Sequence, residues 1–78
     1  MLIKDIKGTS SNVFIMFDDK KAVLEGELLT DGFLCYIDTL KVFNLEDIEI
    51  IINESEKDDI ISKSLNEAKR NKFNLVFI

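Results

Sequence analysis

The sequence predicts an α+β fold: an antiparallel β-meander followed by a β-α-β crossover. One helix, at about residues 55–71, is expected to pack on a curled sheet of five to six strands. Three observations support this prediction. Short apolar runs of strand length alternate with polar turn clusters through most of the chain. Only the segment around residue 60 carries apolar side chains at helical spacing, and a last apolar run follows that segment.

The first part of the chain predicts the meander. We expect a first strand over residues 2–7, and the small polar residues 8–12 form a turn cluster after it. Residues 13–17 are an unbroken apolar run, too short for a helix and rich in strand formers. A polar turn follows, and a return strand is expected over residues 21–29. Strands joined by such short turns pair antiparallel.

The dipeptide Asp31-Gly32 lies between two apolar runs and predicts a tight hairpin turn. Such a turn requires positive φ at both central residues, which Asp and Gly tolerate. The next segment, residues 33–38, is apolar at odd and even positions alike, which is typical of a central strand. Residues 39–47 do not predict a defined element, although residues 45–47 are a candidate turn.

The C-terminal third predicts the crossover. Residues 48–52 form a strand, and we assign the helix N-cap to Ser55, with Asp58 completing a shortened capping box. Asn71 is the expected C-cap, and residues 73–78 form the last strand. The two strands and the helix between them predict a right-handed parallel crossover.

This arrangement leaves one sheet face to be explained. Two or three strands are apolar on both faces, yet one helix covers only one face of a sheet. Curling into a partial barrel, dimerisation or a partner protein would each close the second face. Curling is the common solution in small sheets.

Composition limits the class of protein. The 78 residues suffice for one small domain, residues 1–78, and a hydrophobic share of 46% excludes a disordered chain. No apolar run is long enough to cross a membrane, and the N-terminus lacks the apolar core of a signal peptide. The single cysteine excludes an internal disulfide. We therefore expect a cytoplasmic protein.

The sequence offers little for catalysis, metals or cofactors. There is no histidine, and only three glycines, so no glycine-rich phosphate loop is expected. Glu25 and Glu27 share one face of a strand, but no second catalytic group accompanies them. The aspartate pairs at residues 18–19 and 58–59 lack the spacing of a cation loop. Cys35 is expected to be a buried, inert thiol. We expect no enzyme, no metal and no cofactor.

The charges are strongly segregated along the chain. Residues 22–56 carry nine carboxylates and one positive charge, which is Lys41. The flanking segments are mildly basic, and the net charge is −5. An acidic field repels nucleic acid and steers basic partners toward the protein. The block is either an ordinary solvated surface or a surface complementary to a basic protein partner.

Several short motifs in this block resemble a known family. They are L-E-G-E-L-L at residues 24–29, then Gly32-Phe33 and Tyr36, and finally T-L-K at residues 39–41. This pattern resembles bacterial immunity proteins of polymorphic-toxin and contact-dependent growth inhibition systems, specifically immunity protein family 74. The resemblance implies a domain closed by a helix and a terminal strand, and a protein that neutralises a cognate toxin by binding it, without catalysis.

Our leading hypothesis is therefore an immunity protein that occludes the active site of a toxin domain, with a basic nuclease as the expected toxin. Tyr36 and Lys41 are secondary anchors. The acidic contact candidates are Glu25, Glu27, Asp31, Asp38, Glu46, Asp47 and Glu49. Two alternatives remain open: a structural homodimer subunit, and a phage-encoded acidic inhibitor of a host nucleic-acid enzyme. Direct binding of nucleic acid or of a membrane is not expected.

Overall fold

Seven strands and one α-helix make up residues 2–78, the part of the chain that the computed structural model describes. The helix is α1 (Glu54–Asn71), and a short 3₁₀ helix spans Ile37–Thr39. The strands are β1 (Asp5–Gly8), β2 (Asn12–Met16), β3 (Lys21–Leu29), β4 (Gly32–Cys35), β5 (Val42–Leu45), β6 (Ile48–Ile51) and β7 (Asn74–Phe77). The predicted α+β class with one helix is confirmed.

The sheet is mixed and branches around β3. Its main path runs β1-β2-β3-β4-β7, while β5 pairs with β3, and β6 pairs with β5. β2 pairs with the first half of β3, at residues 21–25. Residues 21–22 of β3 also pair with β5, and residues 26–29 pair with β4. This branching curls the sheet into a half-barrel, as predicted.

The parallel crossover is present, but it joins different strands from those predicted. β7 lies parallel to β4, with Gly32 opposite Asn74, whereas β6 pairs only with β5 among the described residues. The prediction that β6 lies beside β7 is therefore wrong. The two-residue turn at Glu46 and Asp47 folds β6 back onto β5, away from β4. Helix α1 then returns the chain to the opposite side of the half-barrel.

The turn between β3 and β4 also differs from the prediction. Thr30 and Asp31 occupy the turn, and Gly32 already belongs to β4. No glycine in residues 2–78 has a positive φ, so the predicted positive-φ turn is wrong. Gly32 is needed for space instead, because a Cβ at this position would overlap the backbone carbonyl of Asn74. The glycine allows β7 to approach β4.

The N-cap of helix α1 lies two residues earlier than predicted. The N-cap is Asn53, whose side-chain oxygen accepts a 2.8 Å hydrogen bond from the Glu56 N–H. The Glu56 carboxylate accepts in turn from the Asn53 N–H, at 3.2 Å. The assignment of Ser55 and Asp58 was wrong because Glu56 reaches back to close the reciprocal capping box, which a shorter aspartate does less well.

The helix ends at Asn71, and Lys72 is the C-cap. Lys72 adopts the left-handed conformation, with φ of 60°, and its N–H bonds to the carbonyl oxygens of Ala68 and Lys69. Asn71, the predicted C-cap, is the last helical residue, and its amide donates to the carbonyl of Glu67 at 3.0 Å. A left-handed residue at this point closes the helix and lets β7 begin two residues later.

The core lies between the concave face of the half-barrel and α1. The helix contributes Ile60, Ser64 and Ala68 as buried residues. Phe43 of β5 is fully buried, its ring meets that of Phe17 edge to face at a centroid distance of 5.8 Å, and other core side chains surround it. The remaining fully buried large side chains are Val13, Ile15, Leu24, Cys35 and Leu40. The single helix therefore covers the concave face of the sheet and leaves the outer face uncovered.

Candidate functional site

The predicted contact residues are distributed along β3 and its neighbours. One group, which we call the tyrosine–glutamate group, consists of Glu25, Glu27 and Tyr36. A second, the β5–β6 tip, consists of Glu46, Asp47 and Glu49. Both groups are built from the acidic block, but they occupy different ends of β3, as the strand register shows.

Glu25 and Glu27 point away from the core on the outer face of β3. The residues between and before them, Gly26 and Leu24, are buried, and both glutamates are exposed. The period of two along a strand produces this alternation. The prediction that the two carboxylates share one face is confirmed. Among residues 2–78, Tyr36 contacts the Glu27 carboxylate through its hydroxyl.

Tyr36 is held against β3 by a small hydrogen-bond network. Its hydroxyl donates to the carboxylate of Glu27, and its backbone N–H donates to the carbonyl of Glu25 at 2.9 Å. The Thr39 hydroxyl accepts from the Glu25 N–H at 2.9 Å and donates to the Tyr36 carbonyl at 2.7 Å. These bonds fix the start of the 3₁₀ helix beside β3, so the tyrosine–glutamate group is presented by ordered backbone.

The same network raises the pKa of the Tyr36 phenol above its ordinary value. The first cause is its hydrogen bond to Glu27, because deprotonation would remove the donor from that bond. Partial desolvation and the negative charge of Glu27 act in the same direction. Tyr36 therefore stays a neutral donor at physiological pH.

Asp38 and Lys41 flank this group on the segment between β4 and β5. Asp38 is exposed on the 3₁₀ helix, directly before Thr39. Lys41 is exposed just before β5, and its carbonyl accepts a 2.9 Å bond from the Ile52 N–H. The segment thus runs from the tyrosine–glutamate group toward β6, with one acidic and one basic side chain in solvent.

The β5–β6 tip lies at the other end of β3. Glu49 pairs with Asn44, and Asn44 pairs with Lys21 at the start of β3. This register puts Glu49 on the outer face of the sheet, level with Lys21. Glu25 is on the same face, four residues, or about 13 Å, further along β3. Glu46 in the turn has a φ of 54°, in the left-handed region that a glutamate seldom occupies.

Asp31 lies far from the tip. It occupies the turn at the end of β3, and the nine residues of that strand span about 30 Å. One compact partner site does not include both Asp31 and Glu46 unless it covers the whole outer face. The acids selected from the sequence are exposed, but the strand register places them in separate parts of the surface: the tyrosine–glutamate group, the β5–β6 tip and the turn at Asp31.

Sequence reasoning missed the exposure of β6. Every residue of this strand is exposed, including Ile48, Ile50 and Ile51, although the crossover prediction implied a covered strand. The signal was present in the two-residue spacing between Leu45 and Ile48, which forces a hairpin and turns β6 outward.

The acidic and thiol side chains of residues 2–78 do not come together as a metal site. The described residues contain no cluster of three or more His, Cys, Asp or Glu side chains suited to a metal ion. Cys35 is fully buried, and this burial raises the pKa of its thiol to about 11, so the thiol is protonated and unreactive. In the same part of the chain, no helix has the length and apolar character needed to cross a membrane.

Comparison with protein families identifies the chain. The family model for Immunity protein 74 matches residues 5–78, which includes both the tyrosine–glutamate group and the β5–β6 tip. The chain belongs to the immunity protein 74 family. This confirms the resemblance seen in the sequence motifs. The family of this immunity protein implies a cognate toxin as its partner and suggests a toxin-neutralising function. No curated protein and no solved structure matches the chain.

Proposed function

We propose that this immunity protein acts as a single cytoplasmic domain, residues 1–78, that binds and neutralises the toxin domain of a polymorphic-toxin or contact-dependent growth inhibition system. We expect the toxin to be a basic nuclease. The observation that carries the proposal is the tyrosine–glutamate group, in which two exposed carboxylates share the outer face of β3 and one of them, that of Glu27, is held by Tyr36, in a protein of this family.

The proposed mechanism is occlusion by charge. The active site of a nuclease is positively charged because it binds phosphates. Carboxylates spaced along a β-strand can take the places of the substrate phosphates in such a site, and they contain no phosphodiester bond for the nuclease to cleave. Glu25 and Glu27 are two residues apart, so their Cα atoms lie about 7 Å from each other, close to the separation of successive phosphates along a nucleic-acid strand. Immunity proteins are generally non-catalytic, and binding is sufficient for this role.

The hydrogen bond from Tyr36 contributes order. A glutamate side chain on a surface samples several rotamers, and fixing them costs free energy on binding. Because Tyr36 already restrains Glu27, less of this cost remains when the toxin binds. The outward phenol also offers a rigid ring at the centre of the surface, the type of residue that dominates binding energy at interfaces.

Charge reversal tests this proposal. The double variant Glu25→Lys with Glu27→Lys should inhibit the toxin domain encoded by the neighbouring gene at least about tenfold more weakly than the wild type. The wild-type affinity should also fall more steeply with salt than that of the variant, because the variant loses the attraction that salt screens. Residual nuclease activity against inhibitor concentration measures both effects.

A matched control separates the surface from the net charge. Asp58→Lys with Asp59→Lys changes the net charge by the same amount on α1, away from the outer face of β3. It also removes the 3.1 Å ion pair between Asp59 and Lys63, so thermal unfolding first verifies that the control is folded. We expect this control to inhibit nearly as well as the wild type. If the Glu25 and Glu27 variant inhibits as well as the control, the tyrosine–glutamate group is not the binding surface.

A homodimer is the second candidate function. The specific observation in its favour is the exposed apolar edge at β6. Analytical ultracentrifugation at micromolar concentration distinguishes the two states, since a stable dimer would sediment as about 18 kDa, twice the chain mass of 9.0 kDa.

A further inference from the structure

The edges of the sheet differ sharply in how they are protected. β1, at one edge, exposes the charged side chains of Asp5 and Lys7, which discourage pairing with another strand. At the edge formed by β6, three isoleucines are exposed instead: Ile48 by 61%, Ile50 by 42% and Ile51 by 81%. An exposed apolar edge strand is a template for pairing, and natural proteins seldom leave one uncovered unless it has a partner.

The backbone of β6 is also prepared for pairing. Ile52 donates its N–H to Lys41, and hydrogen bonds alternate along an antiparallel pair. The backbone groups of Ile48 and Ile50 are therefore directed at β5. Those of Glu49 and Ile51 point outward, and no described residue bonds to them. Glu49 and Ile51, two residues apart, thus provide the outward donors and acceptors that an added strand requires.

The charge around this edge identifies the kind of partner. From residue 42 to residue 56 the chain contains no basic residue. Glu46, Asp47 and Glu49 are exposed beside the isoleucines, and Glu54 is exposed where α1 begins. A segment that pairs with β6 therefore meets an apolar strand framed by negative charges. A segment with alternating apolar and basic residues is complementary to both features.

A second copy of this chain fits the same edge poorly. A two-fold antiparallel pairing that is centred on Glu49 places this carboxylate against its own copy. When the pairing is centred on Ile50, Glu49 lies opposite Ile51 of the second copy, and the two edges that meet have no basic residue from 42 to 56 to neutralise their carboxylates. Like charges directly opposite each other destabilise a strand pair. The charges at this edge thus favour a basic partner over self-association.

We propose that β6 accepts an extended basic segment of the cognate toxin domain as an additional strand of the half-barrel. The proposal rests on the proposed function and specifies how the partner is held. Backbone bonds form at Glu49 and Ile51. Apolar side chains of the added segment pack on Ile48 and Ile50 at the concave face, and a lysine or arginine lies opposite Glu49 on the outer face.

Amide hydrogen exchange tests this strand addition directly. The toxin domain encoded by the neighbouring gene is mixed with the immunity protein, and exchange is followed by NMR at single amides. The Glu49 and Ile51 N–H groups have no partner among residues 2–78, so we expect them to exchange fast in the free protein and at least about a hundredfold more slowly in the complex. Protection at these two alternating positions is the signature of an added strand.

A substitution gives an independent measure. Ile51→Lys adds a charge that repels a basic segment at a position that is already exposed, so the fold should tolerate it. We expect it to weaken toxin binding about tenfold or more. Leu2→Lys is the matched control, because Leu2 is 80% exposed and precedes β1, at the other edge of the sheet. The control should bind the toxin domain as the wild type does.

The outcomes separate the two proposals. If the complex forms and the Glu49 and Ile51 amides exchange as in the free protein, the strand addition is wrong while toxin binding stands. If no complex forms, the proposed function fails, and the strand addition fails with it. If the two amides are protected in the immunity protein alone, and sedimentation shows a dimer, the occupant of β6 is a second copy and our assignment of the partner is wrong.

Discussion

The phenol of Tyr36 donates a hydrogen bond to the carboxylate of Glu27, which connects the segment after β4 to the outer face of β3. Tyr36 is the only tyrosine, and the chain has no tryptophan. Its ultraviolet absorbance on ionisation therefore reports one residue at the centre of the proposed toxin-binding surface. The contact is thus both a structural element and a direct spectroscopic probe.

Tyr36 should ionise only above the ordinary pKa of a tyrosine, which is about 10. The cause is the hydrogen bond to Glu27, assisted by desolvation and by the charge of that glutamate. Spectroscopic titration of the folded protein measures this pKa. Glu27→Gln should lower it toward the ordinary value, because the negative charge is removed. Glu25→Gln is the control, since the Glu25 side chain does not accept the phenol proton.

The same shift predicts a pH dependence of stability. A pKa that is raised in the folded state means that the folded protein holds its proton more tightly than the unfolded chain. The Tyr36 contact therefore stabilises the fold fully below the ordinary tyrosine pKa, and this contribution is lost as pH rises above it. Tyr36→Phe should remove that part of the alkaline loss. Equal pH dependence in the two proteins would contradict the prediction.

Local patterns predicted the β3 part of the site. Alternation along one strand depends only on neighbouring residues, so it placed Glu25 and Glu27 together on the outer face. The position of β6 was not predictable in this way. It depends on which strand accepts β7, and that choice rests on the fit between Gly32 and Asn74, which are more than forty residues apart. The positions of Glu25 and Glu27 thus follow from local sequence, whereas the position of β6 follows from packing between distant residues.

Replacing Gly32 with alanine should destabilise the fold by about 2–4 kcal/mol. The added Cβ would overlap the backbone carbonyl of Asn74, and a backbone atom cannot rotate away as a side chain can. β7 would have to separate from β4. The free energy of unfolding in urea measures the effect. Thr30→Ala in the adjacent turn serves as the control and should change stability by no more than about 0.5 kcal/mol.

The helix cap can be tested by two neighbouring substitutions. Asn53→Ala removes the side-chain acceptor for the Glu56 N–H, which is one half of the capping box, and should cost about 1 kcal/mol of stability. Ser55→Ala should be nearly neutral, because Ser55 lies inside the first turn of α1 and caps nothing. Thermal unfolding of the two variants makes the comparison. A larger loss for Ser55→Ala would mean that the cap lies at Ser55.

Cys35 should react with thiol reagents only when the protein unfolds. Its side chain is fully buried, and burial raises the pKa of the thiol from 9.0 to about 11. At about pH 8 only about one thiol in a thousand is ionised, and the reagent cannot reach it. The labelling rate should therefore follow the unfolded fraction as urea is added. Rapid labelling of the native protein would show that β4 opens without global unfolding.

Glu46 and Lys72 are the two non-glycine residues with a positive φ in residues 2–78, and they allow strain to be separated from function. Glycine adopts this conformation without steric cost, so Glu46→Gly and Lys72→Gly should each leave stability unchanged or raise it by up to about 1 kcal/mol. Their effects on toxin binding should differ. Glu46 belongs to the β5–β6 tip, so Glu46→Gly should weaken toxin binding severalfold and make the affinity less dependent on salt. Lys72 caps α1, and Lys72→Gly should leave toxin binding unchanged.

The natural sequence keeps an acid at a strained turn where glycine would be easier to accommodate. Weaker binding by Glu46→Gly alone would therefore show that Glu46 is retained for binding. Equal binding by the two variants would remove Glu46 from the toxin-binding surface.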